Sequence, residues 1–343
     1  MAMSFADQSD IAACRTLLRT GSFSFHAASL LLPRSVRDQA TALYAFCRIA
    51  DDAVDLGTDR HEAVARLTMR LDLAYAGTPL PQPVDRAFAG LVAHDHIPKI
   101  LPSALIEGLA WDAEGRRYET MADLLAYAMR VAGSVGVMMA LIMGVRDHAS
   151  LARAADLGIA MQLTNIARDV GEDARAGRIY LPLAWLTQAG ISPHTLCTDT
   201  RFNPALASII AKLLAVADEL YSKAESGIGC LPFFCRPGIG AARLIYAAIG
   251  TEIARAGFDS INQRARVTGG RKLALAARAL LCCVVPRGSA AGPALPQASQ
   301  LVAAACIADG PAKINWFVNV LTIFERLERL ERAQRAQKGG GFA

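Results

Sequence analysis

Length, composition and charge exclude several classes of protein for this chain. Its 343 residues fill one large domain or two smaller ones, and the 53% of hydrophobic residues demand a large core, an apolar cavity or contact with a membrane. The formal net charge is only +5, and no basic run is interleaved with aromatic residues, so we expect no nucleic-acid partner.

The predicted secondary structure is almost entirely helical. Ala- and Leu-rich segments repeat with a period of about 3.6 residues, whereas the alternating patterns of strands are missing. In chain order, the predicted helices cover residues 7–19, 35–55, 59–76, 83–94, 102–113, 121–144, 149–173, 181–188, 204–228, 236–264, 270–283 and 312–336. The sequence therefore predicts an all-α fold.

The helices group into one main domain and a C-terminal appendage. Residues 1–283 form the predicted helical domain, and the segment 284–311, rich in Pro, Gly and Ala, is predicted to be linker-like. The amphipathic helix at 312–336 is expected to pack either on the domain or on a membrane surface. The glycine-rich residues 337–343 are expected to form a disordered tail.

Two segments bear on the location of the protein. The N-terminal MAMSFADQSDIAAC lacks the basic region and apolar core of a secretory signal. The longest clean apolar stretch, 131–145, is shorter than the ~20 residues that a membrane-spanning helix needs, and it contains three glycines. We therefore expect a cytoplasmic protein, with peripheral contact at the inner face of the membrane left open.

Two acidic clusters lie within otherwise apolar predicted helices. In the first, ALYAFCRIADDAVD at 42–55, the polar residues fall three or four positions apart on one helix face: Tyr44, Arg48, Asp51, Asp52 and Asp55. In the second, MQLTNIARDVGED at 161–173, one face carries Gln162, Asn165, Asp169 and Asp173, with Arg168 and Glu172 beside them. The neighbouring residues are mostly apolar, so both faces should point inward.

Buried carboxylates need a compensating positive charge, because an unpaired buried charge costs several kcal/mol. Mg²⁺ prefers oxygen ligands and binds through one or two carboxylates together with substrate phosphates. Two facing clusters therefore indicate a diphosphate–magnesium site, with a solvated acidic helix face as the structural alternative. A di-iron site would require Glu-x-x-His pairs, and neither cluster contains a histidine.

These segments and four others resemble the squalene/phytoene synthase family, in the order in which the family has them. They are TGSFSFHAASLLLP at 20–33, the first cluster, WDAEGRRY at 111–118, YAMRVAGSVGVMM at 127–139, NIARDVGEDARAGRIYLP at 165–182 and LPFFCRPGIGAARLIYAAIG at 231–250. FCRIADDAVD and CRPGIGAARLIY are more similar to bacterial members that form phytoene than to those that form squalene.

The resemblance implies a fold and a reaction. The fold would be a single isoprenoid-synthase-type helical bundle around a central apolar cavity, with residues 1–283 as its catalytic domain. The reaction would be the head-to-head (1–1′) condensation of two geranylgeranyl diphosphates to phytoene, through a cyclopropylcarbinyl diphosphate and with release of diphosphate. That reaction is the first committed step of carotenoid biosynthesis, so downstream carotenoid enzymes would be partners. Mg²⁺ would be the cofactor, with Mn²⁺ as a substitute.

Matched position by position, the resemblance also implies which side chains form the site. The magnesium ligands would be Asp51, Asp52, Asp55, Asn165, Asp169 and Asp173. The residues binding the substrate diphosphates would be Thr20, Ser22, Tyr44, Arg48, Gln162, Asn165, Arg168 and Tyr246. The catalytic set would be Asp51, Asp55, Asp169, Asp173, Tyr44 and Arg48, and the channel would be lined by Phe23, Tyr127, Val131 and Gly136.

Two further pairs are assigned less directly. Arg178 and Tyr180 follow the second cluster and are expected near the site. Asp112 and Arg116 either join the site or form a surface salt bridge with each other.

Three alternatives remain open at this point. The first is a dehydrosqualene or squalene-type synthase that uses two farnesyl diphosphates. A squalene-type product would need NADPH, which we do not expect here because no G-x-G-x-x-G follows a strand. A terpene cyclase fits the second cluster less well. A helical scaffold with a degenerate site is disfavoured, because both clusters and both of their arginines are intact.

Overall fold

The computed structural model describes residues 5–21, 23–55, 59–282, 290 and 292–307. Within these ranges the structure is helical and contains no strand, which confirms the predicted all-α fold. The α-helices are α1 Gln8–Gly21, α2 Phe23–Ser29, α3 Arg34–Asp55, α4 Arg60–Tyr75, α5 Pro83–His94, α6 Ile100–Ala113, α7 Met121–Ala128, α8 Ser134–Ile142, α9 His148–Arg175, α10 Leu183–Gln188, α11 Pro193–Thr198, α12 Pro204–Cys230, α13 Arg236–Arg255, α14 Gly269–Cys282 and α15 Pro296–Ile307.

Helix α9 is the central element of the bundle. Its 28 residues span about 42 Å and pack against α8, α12, α13 and α15. The side chain of Asp147 caps its first turn by accepting a hydrogen bond from the Ser150 amide. Apolar residues such as Leu151, Ile159 and Leu163 are fully buried and anchor α9 in the core. The second acidic cluster lies at the C-terminal end of the same helix.

Helix α3 carries the first acidic cluster and is held by α1, α4, α5 and α6. Phe46 stacks on Phe88 of α5 with ring centroids 3.8 Å apart. Near the start of the helix, the guanidinium of Arg15 in α1 pairs with Asp38 at 2.6 Å. These contacts fix the C-terminal half of α3, where the acidic residues lie, relative to the core.

Helices α7 and α8 are joined by a π-helical segment, Met129–Gly133. Together they form a run from Met121 to Ile142 that is long and apolar enough to cross a membrane. Its most apolar window is 61% buried inside the bundle, as expected of a core helix. The backbone approaches α9 closely here, because Gly136 packs against the carbonyl of Ala154 and Gly158 against the carbonyl of Ala132.

The structure corrects the sequence prediction at three places. Helix α13 ends at Arg255 and not near 264, because Gly257 and Phe258 adopt positive φ angles of 67° and 60° and turn the chain. The short helices α2 and α11 were not predicted, since segments of six or seven residues give little periodic signal.

The third correction concerns the segment 284–311, which the composition predicts to be linker-like. Residues Pro296–Ile307 form α15, which packs against α6, α7, α8 and α9. Ala298, Val302 and Ala305 are completely buried in that contact. Its small alanine side chains allow close packing but give a weak hydrophobic pattern. The predicted helix at 312–336 and the tail at 337–343 lie outside the described residues.

The approach of α8 to α9 should limit what position 158 tolerates. A Cβ added at Gly158 would collide with the Ala132 carbonyl oxygen and lie 2.7 Å from its carbon. We expect Gly158→Ala to lower the free energy of unfolding by about 2 kcal/mol, because backbone and not a flexible side chain must move. Denaturant titration measures this difference.

Gly240→Ala is the matched control. Gly240 is also helical, but an added Cβ would meet only the Ala279 Cβ, at an ordinary 3.6 Å. This variant should retain the wild-type stability or gain up to ~1 kcal/mol from the better helix propensity of alanine. Equal stability of both variants would show that the close approach is not a constraint.

Candidate active site

The first acidic cluster lies on the last two turns of α3. Arg48 pairs with Asp52 through two contacts of 3.0 and 2.8 Å and lies 3.8 Å from Asp51. The side chains of Asp51 and Asp55 keep 52% and 43% of their surface exposed, so this face, which the sequence predicts to point inward, lies at the edge of the core and is only partly buried. The predicted spacing of three and four residues therefore does place these side chains together, with the arginine one turn before the carboxylates.

The second cluster lies on the last three turns of α9, where Asp169 is held between two arginines. Arg168 contacts it at 2.8 and 2.5 Å, and Arg264 contacts it at 2.9 and 3.2 Å. Burial alone would raise the pKa of Asp169, but the hydrogen bonds from Arg168 and Arg264 bring it below its ordinary value. Asp169 is therefore ionised at neutral pH.

Arg178 connects the two clusters. Its Nη1 lies 3.0 Å from Asp55 on α3, and its Nη2 lies 3.5 Å from Asp173 on α9. Because one guanidinium reaches both carboxylates, the two clusters face each other across a gap that a single arginine side chain bridges. The Nε of Arg178 is buried and has no hydrogen-bond partner within the described part of the chain, so this side chain retains a donor.

The site carries more negative charge than its arginines compensate. Burial, together with the charge of Asp55, raises the pKa of Asp51 to about 6. Burial also raises the pKa of Asp173 to about 7, with the charges of Asp169 and Asp112 adding to the effect and Arg178 opposing it. Carboxylates that resist ionisation in this way are ready to accept a cation.

A further carboxylate, that of Asp112 in α6, lies beside the gap between the two acidic clusters. Its two oxygens accept hydrogen bonds of 2.8 Å from the hydroxyls of Tyr127 and Tyr180. Tyr118 packs on both rings, with centroids 5.1 and 6.3 Å away. Burial raises the pKa of Asp112 to about 6, although the two tyrosine hydrogen bonds oppose the shift.

The structure shows where the two residues with open assignments, Asp112 and Arg116, lie. Asp112 belongs to the site, whereas Arg116 stacks over the Trp111 ring at 3.9 Å. Tyr127 does not line the observed cavity, because its ring packs in the tyrosine cluster and its hydroxyl donates to Asp112, so its channel role stays a prediction. Tyr180 lies near the site, as predicted.

An apolar cavity of ≈270 Å³ extends from the acidic clusters into the bundle. At its polar end, the lining residues are Tyr44, Gln162, Asn165 and Tyr246. The predicted channel residues Val131 and Gly136 line its wall. One stripe of α9 follows its length: Asn165, Gln162, Met161, Gly158, Leu157, Ala154, Arg153 and Ser150. The stripe runs from Ser150 to Asn165, a rise of about 22 Å along the helix.

Arg153 marks the deep end of the cavity. It is buried with Asp156, at 2.8 Å, and its Nη2 donates to the carbonyl of Pro293 at 2.9 Å, just before α15. An added Cβ at Gly227 of α12 would lie 3.0 Å from the Arg153 Cγ, so α12 closes tightly on the same turn. The residues after the predicted domain boundary at 283 therefore help to hold Arg153 in place.

One predicted diphosphate-binding residue, Thr20, is not brought into this site. Thr20 is exposed, and its hydroxyl donates to the carbonyls of Thr16 and Leu17 within α1. Ser22 lies outside the described residues, as does the side chain of Phe23. The end of α1 does approach the site, because Gly21 packs directly against the hydroxyl of Tyr44.

Comparison with known proteins agrees with this geometry. The family model for squalene/phytoene synthase matches residues 18–271. The chain belongs to the squalene/phytoene synthase family. A phytoene synthase from Rhodobacter capsulatus is 53% identical over 80% of this chain and 82% of its own, and a 15-cis-phytoene synthase from a Paracoccus strain is 46% identical over 74% and 86%.

Solved structures of squalene/phytoene synthase relatives share the fold. A dehydrosqualene synthase in complex with a ligand has a TM-score of 0.74 and 30% identity, covering 80% of this chain and 96% of that one. A squalene synthase from Alicyclobacillus acidocaldarius has a TM-score of 0.67 and 29% identity, covering 73% and 95%. The predicted isoprenoid-synthase-type bundle is therefore confirmed.

The site contains one side chain that sequence reasoning missed. Arg264, bound to Asp169, lies in the turn after α13 that the sequence assigns to a continuing helix. No motif distinguishes it from the neighbouring Arg266. Among the described residues, no three His, Cys, Asp or Glu side chains already converge as a metal cage. Mg²⁺ does not need such a cage when substrate phosphates and waters complete its coordination.

The raised pKa of Asp173 predicts a pH-dependent stability of the metal-free protein. Its pKa of about 7 lies above the unfolded value of about 4. Its contribution to stability is therefore complete below about pH 4 and is lost as the pH rises through 7. We expect Asp173→Asn, which cannot ionise, to be more stable than wild type by about 2 kcal/mol at pH 8 and to gain little at pH 5.

Chemical unfolding at both pH values in a chelating buffer measures this effect. Glu219→Gln, on the exposed side of α12, is the control and should retain the wild-type dependence. A stability difference between Asp173→Asn and wild type that is the same at pH 5 and pH 8 would contradict the assigned shift.

Proposed function

We propose that the protein condenses two geranylgeranyl diphosphates head to head to phytoene, as a prenyltransferase. The observation that carries this proposal is the pair of facing carboxylate clusters at the polar end of a long apolar cavity. Relatives named phytoene synthase, at identities up to 53%, support phytoene as the product. The reaction would proceed through a cyclopropylcarbinyl diphosphate and would begin carotenoid biosynthesis.

We propose Mg²⁺ as the cofactor, with Mn²⁺ as a substitute. The residues present fit a hard cation, because carboxylate and amide oxygens lie on the facing ends of α3 and α9, and neighbouring carboxylates add to burial in raising the pKa values of Asp51 and Asp173. Asp51, Asp52 and Asp55 would hold it from α3, and Asn165, Asp169 and Asp173 would hold it from α9. When bound, Mg²⁺ would supply electrostatic stabilisation of the departing diphosphate.

The arginines of the site would bind and orient the diphosphates. Arg48 lies one helical turn before Asp52, with which it pairs, and Arg168 lies directly beside its partner Asp169. Arg178 has a free Nε donor and already spans the gap, so it would shift from carboxylate to diphosphate oxygens on binding. Guanidinium groups suit this exchange, because their fork of donors matches phosphate oxygens as well as carboxylates.

The cavity would protect the carbocations that form when diphosphate departs. Its wall is made of residues such as Leu43, Val135 and Leu157, which exclude water from the reacting carbons. Tyr44 and Tyr246 lie where the polar and apolar regions meet, and their rings can stabilise a passing cation. Loss of a proton, to released diphosphate or to a tyrosine hydroxyl, would end the reaction without NADPH.

A second candidate is a dehydrosqualene-type reaction with two farnesyl diphosphates. The specific observation in its favour is the 30% identity and TM-score of 0.74 to a dehydrosqualene synthase. The identities to phytoene synthases are higher and extend over a comparable share of the chain, so we favour the longer substrate. We also propose a cytoplasmic location, with downstream carotenoid enzymes consuming the product.

The proposed function is tested by the hydrocarbon that the purified protein forms. We expect phytoene from labelled geranylgeranyl diphosphate with Mg²⁺, and no further product when NADPH is added. Asp51→Asn and Asp169→Asn should each lower the rate by at least about 10²-fold, because a neutral amide cannot balance the cationic charge at the site. Product analysis by chromatography gives both results.

Glu219→Gln serves again as the control, and circular dichroism should show that all variants retain the helical fold. Wild-type turnover in either aspartate variant would contradict the assigned roles. Product from farnesyl diphosphate alone would favour the second candidate.

The depth of the cavity should determine the length of the substrate. One isoprene unit lengthens an extended hydrocarbon chain by about 5 Å, which is close to the rise of one turn of α9. A geranylgeranyl chain of four units that starts at Asn165 would reach about 20 Å, past the turn of Arg153 and Ala154, whereas a farnesyl chain of three units would reach about 15 Å and end just before Ala154. Ala154 lines the cavity in that last turn.

We therefore expect Ala154→Leu to lower kcat/KM for geranylgeranyl diphosphate by at least about tenfold, because the added side chain fills the space of the last isoprene unit. The value for farnesyl diphosphate should stay the same or rise. Ala154→Ser, of nearly the same size, should behave as wild type with both substrates. Equal losses for both substrates in Ala154→Leu would refute a role in length selection.

A further inference from the structure

Five exposed apolar side chains surround the N-terminal end of α13 and are here called the deep-end surface. They are Leu30, Phe233, Phe234, Leu280 and Leu281, each between 47% and 76% exposed. Two close approaches bring their segments together. An added Cβ at Gly238 would lie 2.7 Å from the Leu32 side chain, and one at Gly240 would lie 3.6 Å from Ala279 of α14.

The deep-end surface continues the apolar wall of the cavity to the exterior. Leu32 lines the cavity two residues after the exposed Leu30, and Leu231 lines it two residues before the exposed Phe233. Both lining residues belong to the end opposite the aspartates, since Leu231 follows Gly227, which packs on Arg153. The hydrocarbon end of the cavity is therefore separated from the exposed patch only by a thin apolar layer.

The segments that carry the deep-end surface contain basic residues and no acidic ones, although Arg243 and Arg271 pair with Glu225 and Glu252 of adjacent segments. Residues 23–37, 230–251 and 269–282 contain no aspartate or glutamate. They do contain the exposed Arg34 and Arg278, and the half-buried Arg236, whose guanidinium lies 5.9 Å above the Phe233 ring. Apolar side chains ringed by arginines are complementary to anionic lipid headgroups over acyl chains.

We propose that the deep-end surface docks on an anionic phospholipid bilayer. A second copy of the chain fits less well, because pairing this surface with itself would place arginines of the same sign together. Docking would set the hydrocarbon end of the cavity against the acyl chains and leave the aspartates toward water. The proposal depends on the exposure and charge of these segments and not on the proposed reaction.

Vesicle sedimentation with the full chain tests the proposal. We expect wild type to bind vesicles of equal parts phosphatidylglycerol and phosphatidylcholine, and to bind pure phosphatidylcholine at least about fivefold more weakly, since each basic side chain near the surface contributes about that factor. Phe233→Glu and Leu281→Glu should each weaken binding to the anionic vesicles by at least about fivefold, because each places a carboxylate among the acyl chains and headgroups.

Met69→Glu is the matched control. Met69 is 47% exposed on α4, which packs against α3, α5 and α6 and away from α13, and the substitution adds the same charge. This variant should bind vesicles as wild type does. Equal weakening in all three variants would overturn the proposal, as would undiminished binding of Phe233→Glu and Leu281→Glu, which would assign membrane contact to another segment.

Two further measurements test the proposal even if a glutamate variant fails to fold. Phe233→Trp should show more quenching by bromine-labelled lipid chains than the wild-type tryptophans do, and no added quenching would overturn the proposal. Sedimentation equilibrium without lipid addresses self-association. If wild type were a dimer that Leu281→Glu converted to a monomer, the surface would be a protein contact and the proposal would be wrong.

Discussion

The organisation of the protein depends on how carboxylates are tolerated at the edge of an apolar interior. Their mutual repulsion is partly offset by arginines from three sources: the same helix, the adjacent residue and the loops that follow the helices. Hydrogen bonds from two arginines lower the pKa of Asp169, whereas burial and neighbouring carboxylates raise the pKa values of Asp51 and Asp173. This uneven balance makes the gap between α3 and α9 a receptor for additional positive charge.

Helix α9 links that electrostatic constraint to the shape of the cavity. One of its faces carries the carboxylates at the C-terminal end and the cavity stripe over the preceding fifteen residues. Gly158 lets the α7–α8 run approach closely, and this contact keeps the opposite wall in place. The chemistry at one end and the space for the hydrocarbon at the other are therefore fixed by a single rigid element, so their separation is fixed as well.

The sequence predicts those parts of the site that depend on local periodicity. The spacing of Asp51, Asp52 and Asp55 on one helix face requires nothing beyond helix geometry. The apolar neighbours predict that this face points inward, whereas the structure leaves Asp51 and Asp55 about half exposed. Arg264 could not be found in this way, because it reaches Asp169 from ninety-five residues away in a turn without regular pattern. The role of Tyr127 was missed for a related reason. A tyrosine near a cavity and a tyrosine bound to a buried carboxylate have the same local sequence, and only tertiary packing separates them.

The cavity has a polar end and an apolar end, and this asymmetry determines which end a long-chain molecule prefers. A diphosphate must be held at the aspartates, where water and cations are accessible, while its tail extends past Leu157 toward Arg153. A hydrocarbon without a charged group has no interaction that retains it at the polar end. It is more stable at the deep end and, beyond the thin wall formed by Leu32 and Leu231, in any apolar phase outside. Loss of diphosphate would therefore reverse the preferred direction of the molecule along the cavity, from the aspartates toward the basic and apolar surface at α13.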